Sequence, residues 1–182
     1  MALEFTTSYL ADSLSLFRYY KRLAERAMAQ TSDEQLTLVL SPGANSIAII
    51  VKHLAGNMRS RWTDFLTTDG EKPDRHRDAE FEDPPQTRHA LLEMWESGWR
   101  CLFDALGPLT DADLGRAVTI RGERHSVLQA INRQLAHYCY HTGQIVALAV
   151  QMRGPDWQSL SVPRGGSADF EARVRRGDTS QR

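Results

Sequence analysis

Residues 126–155 read SVLQAINRQLAHYCYHTGQIVALAVQMRGP and form the most clearly delimited element of the sequence. Ser126 followed by Gln129 has the spacing of a capping box, in which two side chains satisfy free N–H groups at a helix start. Gly154-Pro155 is typical of a helix end. The stretch therefore predicts a helix of about seven turns, which we place last among the long helices of the fold.

Two amphipathic helices are predicted in the first part of the chain. Apolar residues spaced three and four apart predict a first helix over Phe5–Met28. The Pro- and Gly-containing segment Ser41–Ser46 then breaks the pattern, and Asn45 or Ser46 can cap a second helix that runs to about Thr67.

A long polar connection separates the second helix from the third. Residues 68–85 are nearly all charged, polar or proline, which predicts a crossover over the bundle surface. Asp83-Pro84-Pro85-Gln86 is typical of an N-cap followed by proline at the first helical position, and Gly107-Pro108 ends the third helix. Val118 and Ile120 before Arg121-Gly122 predict a short extended excursion ahead of the fourth helix.

These elements predict an all-α fold, an antiparallel four-helix bundle. We expect residues 1–154 to form the bundle and residues 155–182 to be a C-terminal extension packed on it, with its last residues frayed.

Composition and charge exclude several classes of function. The chain has 182 residues, with 22 Lys and Arg against 23 Asp and Glu, so it lacks the basic excess typical of nucleic-acid binders. No apolar stretch has the length of a membrane span. Two cysteines and an N-terminus unlike a secretion signal favour a reducing compartment. We therefore expect a cytoplasmic protein that binds neither nucleic acid nor membrane.

Three of the six histidines can meet inside such a bundle. His137 and His141 lie four residues apart, about 40° from each other on a helical wheel and near the apolar stripe of their helix. Cys139 points elsewhere on the same wheel. His53 lies in a polar stripe along the second helix. If the two helices pack side by side, three imidazoles can hold a divalent ion and leave a fourth position open, as catalytic sites do.

The residues alone leave a second interpretation open, because histidine pairs on helix edges also occur as hydrogen-bonded or half-exposed features. His76, His89 and His125 are expected to be solvated. Glu-x-x-His does not occur in the sequence, which argues against a carboxylate-rich di-iron bundle.

The histidine motifs resemble those of the DinB-like (YfiT-type) superfamily. They are His53 within IIVKHLAGNM and the run His137-x-x-x-His141-x-Gly143-Gln144, and the resemblance covers nearly the whole chain. It implies an antiparallel four-helix bundle, often a homodimer, in which His53, His137 and His141 bind Zn²⁺ or Ni²⁺. In some relatives it implies a transferase that uses a low-molecular-weight thiol such as bacillithiol or mycothiol.

We therefore expect a metal-dependent enzyme that acts on a small-molecule substrate, with thiol S-transfer as the first hypothesis. Gln144, Gln134 and Asn57 are candidates to orient the histidines or the substrate. A metal-dependent hydrolase is an alternative, for which Asp64 is the obvious carboxylate on the helix-two stripe.

A non-catalytic helical module, stabilised by its metal as a dimer, is the alternative from another class. The homodimer prediction also draws on Trp62, Trp95 and Trp99, because three such large side chains can exceed what one bundle core needs; the other interpretation is that they are ordinary core residues.

Overall fold

Four long helices carry the fold in the computed structural model, which describes residues 7–180. These helices are α1 (Tyr9–Met28), α3 (Ile47–Trp62), α4 (Arg88–Leu106) and α5 (Val127–Arg153). Two short helices, α2 (Asp33–Thr37) and α6 (Ser167–Arg175), and one hairpin, β1 (Ala117–Ile120) with β2 (Glu123–Ser126), complete the description. Because α3 packs on α4 and α5, and α1 on α5 and α4, the long helices enclose one core. The predicted all-α bundle is confirmed.

The caps of α3 and α5 lie where local sequence patterns predict them. The Ser46 hydroxyl accepts a hydrogen bond from the Ile49 N–H at the start of α3. At the start of α5, Ser126 and Gln129 form the reciprocal bonds of a capping box. Gly154 ends α5 with a positive φ of 53°, a conformation that favours glycine.

Two predicted helix bounds in the first half of the chain need correction. α1 begins at Tyr9, after the capping Ser8, and Phe5 lies outside the described residues. α3 ends at Trp62 rather than near Thr67, and Asp64 beyond it has a φ of 48°.

The predicted start of the third bundle helix is also wrong. Thr87, not Asp83, caps α4, and its hydroxyl accepts from the Ala90 N–H. A residue that precedes proline is disfavoured in the helical conformation. Pro84, the predicted first helical residue, precedes Pro85, so the helix does not begin there.

The crossover is more than a surface connection. It contains a short 3-10 turn, Asp78–Phe81, which packs against α3 and buries the Glu80 side chain. The hairpin follows the predicted extended excursion, and the Asp69 carboxylate holds its turn by accepting from the Arg121 and Gly122 N–H groups, both at 2.8 Å.

The large aromatic residues belong to the core. Trp62, Trp95 and Trp99 are all buried within one chain, and the Trp62 Nε1–H donates to the Tyr138 hydroxyl at 3.1 Å. Their size therefore supplies no reason for a dimer. The homodimer that the resemblance implies stays a prediction.

The C-terminal extension contacts the first helix. Gln30 and Gln158 exchange two hydrogen bonds, at 3.0 and 2.9 Å, and Trp157 and Leu160 pack against the core. The frayed end predicted for the last residues falls partly on residues 181–182, which lie outside the described part. Within residues 7–180, no helix combines the length and the apolar character needed to cross a bilayer.

Candidate metal centre

His53, His137 and His141 come together between α3 and α5. One ring nitrogen of each lies within 4.8 Å of those of the other two. The Nε2 atoms of His53 and His137 are 3.3 Å apart. Two nitrogens bound to one tetrahedral zinc at about 2.0–2.1 Å would also lie about 3.3 Å apart. The donor set therefore fits a divalent ion such as zinc or nickel.

The other ring nitrogen of two of these histidines is held by a hydrogen bond. His53 Nδ1–H donates to Glu80 Oε2 at 2.9 Å, and His141 Nδ1–H donates to Gln144 Oε1 at 2.7 Å. A carboxylate or amide oxygen at Nδ1 fixes the tautomer and turns the Nε2 lone pair towards an ion. The Phe81 ring stacks on the His53 ring, with centroids 4.8 Å apart, and restrains it further.

Burial disfavours the charged form of two of the three imidazoles, those of His137 and His141. The pKa of His137 is lowered to about 3, mainly by burial and in smaller part by the neighbouring histidines and Arg133. Burial likewise lowers the pKa of His141, partly opposed by the Gln144 hydrogen bond. A neutral imidazole has the free lone pair that metal ligation requires, so the lowered pKa values of His137 and His141 favour metal binding at pH 7.

Glu80 is itself held from the opposite side. Arg75 donates to both of its carboxylate oxygens, at 2.8 and 2.9 Å. Burial would raise the pKa of Glu80, but the hydrogen bonds from His53 and Arg75 outweigh it, and the pKa is lowered. An ionised Glu80 is a hydrogen-bond acceptor only, which confirms Nδ1 as the protonated nitrogen of His53.

Gly56 on α3 makes room for this carboxylate. A Cβ atom at position 56 would lie 2.4 Å from Glu80 Oε1 and 2.8 Å from its Cδ. Any larger residue would therefore collide with the group that orients His53.

The histidines border a cavity of about 430 Å³, a volume suited to a small molecule. The three amide candidates take different positions around it. Gln144 bonds His141, as described. Asn57 lines the cavity and accepts from the Tyr138 hydroxyl at 3.1 Å, while Gln134 lines it with a buried Oε1 that has no described partner. Their functional roles stay predictions.

Other candidate residues lie elsewhere. Asp64 is exposed beyond the end of α3, so it does not continue the helix-two stripe, and the expectation that it serves this site is wrong. The Cys139 thiol lies beside the Tyr20 hydroxyl and raises its pKa to about 12. His76 and His89 are exposed, as expected, and His125 is half-buried.

Sequence reasoning missed Glu80, which lies among several acidic residues of the crossover with nothing to distinguish it. The one available signal is its neighbour Phe81, an isolated large aromatic residue in a polar segment, which is typical of a segment that docks on the core.

Comparison with known proteins places the chain in a family. The family described as "Protein of unknown function (DUF1572)" matches residues 4–166. No curated protein matches the chain. The crystal structure of a DinB-like protein from Bacillus cereus ATCC 10987 matches with a TM-score of 0.60 at 16% identity, covering 76% of this chain and 89% of that one. At this identity the likeness concerns the fold, and it confirms the resemblance drawn from the histidine motifs. The chain thus belongs to the DUF1572 family and has the DinB-like fold.

Proposed function

We propose that the protein is a metal-dependent enzyme that holds Zn²⁺ or Ni²⁺ through His53, His137 and His141 and transfers a group to a low-molecular-weight thiol. The observation that carries the proposal is the convergence of three imidazoles at the edge of a cavity large enough for a substrate. Three protein ligands with space beside them are typical of a catalytic rather than a structural ion.

A divalent ion in such a site lowers the pKa of a thiol or of water, and so supplies a nucleophile at neutral pH. The chain's own residues do the positioning. Glu80 and Gln144 orient His53 and His141, and Phe81 covers one face of the His53 ring and keeps water from it. Gln134 lines the same cavity, and its buried Oε1 has no hydrogen-bond partner among the described residues.

The surroundings favour thiol transfer over hydrolysis. A hydrolase needs a group close by that takes or gives a proton. No described residue that lines the cavity is acidic, and Glu80, the carboxylate that contacts the histidines, already accepts hydrogen bonds from His53 and Arg75. A thiol that has lost its proton to solvent needs no such base. The cavity, in turn, favours an enzyme over a purely structural metal module.

The test combines metal binding with turnover. Protein purified without an affinity tag is loaded with Zn²⁺ or Ni²⁺ and incubated with monochlorobimane and a panel of thiols that includes bacillithiol and mycothiol. In this reaction the thiol sulfur bonds to carbon, chloride leaves with the bonding electrons, and the thiol proton passes to solvent. We expect turnover that His141→Ala abolishes and that His89→Ala, a change at an exposed histidine outside the site, leaves intact. Metal-loaded protein with no turnover above His141→Ala for any thiol refutes the transferase.

A further inference from the structure

The wall of the cavity beside the histidines is rich in arginine. Five arginines line it: Arg61, Arg75, Arg77, Arg121 and Arg133. None of the described residues that line it is an aspartate or glutamate. The chain as a whole has a formal net charge of −1, so this concentration of positive charge is local. A concave wall of one sign concentrates ligands of the opposite sign.

Arg61 is the most unusual of the five. Its side chain is 3% exposed, and neither Nε nor Nη1 has a hydrogen-bond partner among the described residues. The closest carboxylate contact is between Nη2 and Glu71 Oε2, at 3.7 Å. Burial lowers the pKa of Arg61, as expected where water has been removed from a charge. A buried guanidinium without a close partner is costly to the fold, and an anion bound beside it in the cavity would offset part of that cost.

The neighbouring carboxylates do not neutralise this wall. Glu80 already pairs with Arg75 and His53. Glu71 is the one carboxylate partner shared by three arginines of the described residues, Arg61, Arg75 and Arg121. The position of Arg121 is set by the hairpin turn. Its backbone has a positive φ of 56°, which is uncommon outside glycine, and its N–H donates to the Asp69 carboxylate.

Arg133 supplies a further positive charge at the opening. It is exposed on α5, one turn before His137, and it lines the cavity. Arg61 and Arg133 therefore reach the cavity from α3 and α5, the two helices that also supply the three histidines.

We propose that the substrate of this site is a small molecule with an oxyanion group, a carboxylate or a phosphate, which Arg61, Arg121 and Arg133 bind while its reacting end meets the three histidines. This inference rests on the proposed function, because it names the substrate class of the same site. Guanidinium groups bind both oxyanions through charge-assisted hydrogen bonds. Gln134 also lines the cavity, and a small rotation of its amide would let the unpartnered Oε1 accept from an N–H or O–H group of the same molecule.

The first test measures anion binding without metal, so that it is independent of the metal site. Metal-free full-length protein is titrated calorimetrically with inorganic phosphate and, separately, with succinate, at constant ionic strength. We expect saturable binding of at least one, and the tighter of the two identifies the oxyanion. Arg133→Gln should weaken it about tenfold, the effect of losing one charge-assisted hydrogen bond. Arg59→Gln, the same change at an exposed arginine of α3 outside the cavity, should change it less than about twofold.

Arg61→Met separates a binding role from a structural one. If Arg61 serves the ligand, the variant loses at least about tenfold in anion affinity while its melting temperature stays the same or rises, because an apolar side chain replaces a poorly paired buried charge. If Arg61 serves the fold, its melting temperature falls. Zinc affinity, measured in parallel, should not fall in Arg133→Gln, because loss of a nearby positive charge does not disfavour a cation. No saturable binding of either anion, or equal weakening by Arg133→Gln and Arg59→Gln, overturns the inference. Failure of the native chain to bind either Zn²⁺ or Ni²⁺ overturns the proposed function.

Discussion

Replacing Gly56 by alanine tests whether Glu80 orients the His53 ring for metal binding. The new Cβ would lie 2.4 Å from Glu80 Oε1, whereas ordinary contacts begin at 3.4 Å, so the carboxylate must retreat by about 1 Å. A retreat of that size takes Oε2 out of hydrogen-bond range of His53 Nδ1, now 2.9 Å away, because contacts near 3.6 Å and beyond no longer count as hydrogen bonds.

The expected loss is in metal affinity. Removal of a partner that orients a metal-bound histidine weakens binding roughly 10- to 100-fold, or about 1.4–2.7 kcal/mol. Folding is affected less, since alanine is favoured over glycine in a helix by about 1 kcal/mol, which partly offsets the disturbed Glu80 contacts. The variant should therefore fold and still bind zinc poorly.

The measurement is a zinc titration in competition with a chromophoric chelator, with circular dichroism to confirm the helical content. Gly143→Ala is the matched control, because Gly143 is also a helical glycine but a Cβ there has no heavy atom within 4 Å. It should stabilise the protein by about 0.5–1 kcal/mol and leave zinc affinity unchanged. Equal zinc affinity in Gly56→Ala and Gly143→Ala would show that Glu80 does not orient the ligand.

Three further predictions concern the site and its support. Zinc at about 1,000 times its Kd should stabilise the protein by about 4 kcal/mol and raise the Tm by about 8–16 °C in calorimetry, and EDTA should reverse the shift. In metal-free protein the pKa of His137 is about 3, against about 6.5 when unfolded, so the unfolded chain takes up the proton first as pH falls. Urea unfolding free energy should therefore decline between about pH 6.5 and 3, less steeply in His137→Asn; an equal decline in both contradicts this. Tyr138→Phe leaves the Trp62 N–H and Asn57 Oδ1 unpaired and should lower the unfolding free energy by about 1–3 kcal/mol in urea; an unchanged midpoint contradicts this.

The helices of the bundle were predictable to the extent that their signals are local. Ser46, Ser126 and Gly154 act on backbone groups a few residues away, so the sequence pattern and the structure agree there. The start of α4 was mispredicted because Asp83 and Thr87 can both cap a helix. The two prolines between them disfavour helical backbone there, so the helix begins after Thr87.

In the candidate site, too, local features were predictable from the sequence and tertiary contacts were not. His137 and His141 are four residues apart on one helix, so their common face follows from helical geometry alone. His53 joins them because α3 packs against α5. The sequence could only predict this on the assumption that the two helices lie side by side.

The amino-acid sequence by itself predicted the bundle, the caps of α3 and α5 and the shared face of His137 and His141, because helix periodicity and capping act over three or four residues. Only the tertiary structure shows that the Glu80 side chain turns inward and orients His53, which lies 27 residues away in the sequence. It also shows that Gly56 leaves space for the Glu80 carboxylate. It also decided that arginines from α3, the crossover, the hairpin and α5 share one cavity. These contacts depend on the path of the long connection and on how the helices pack, and no short-range pattern encodes either.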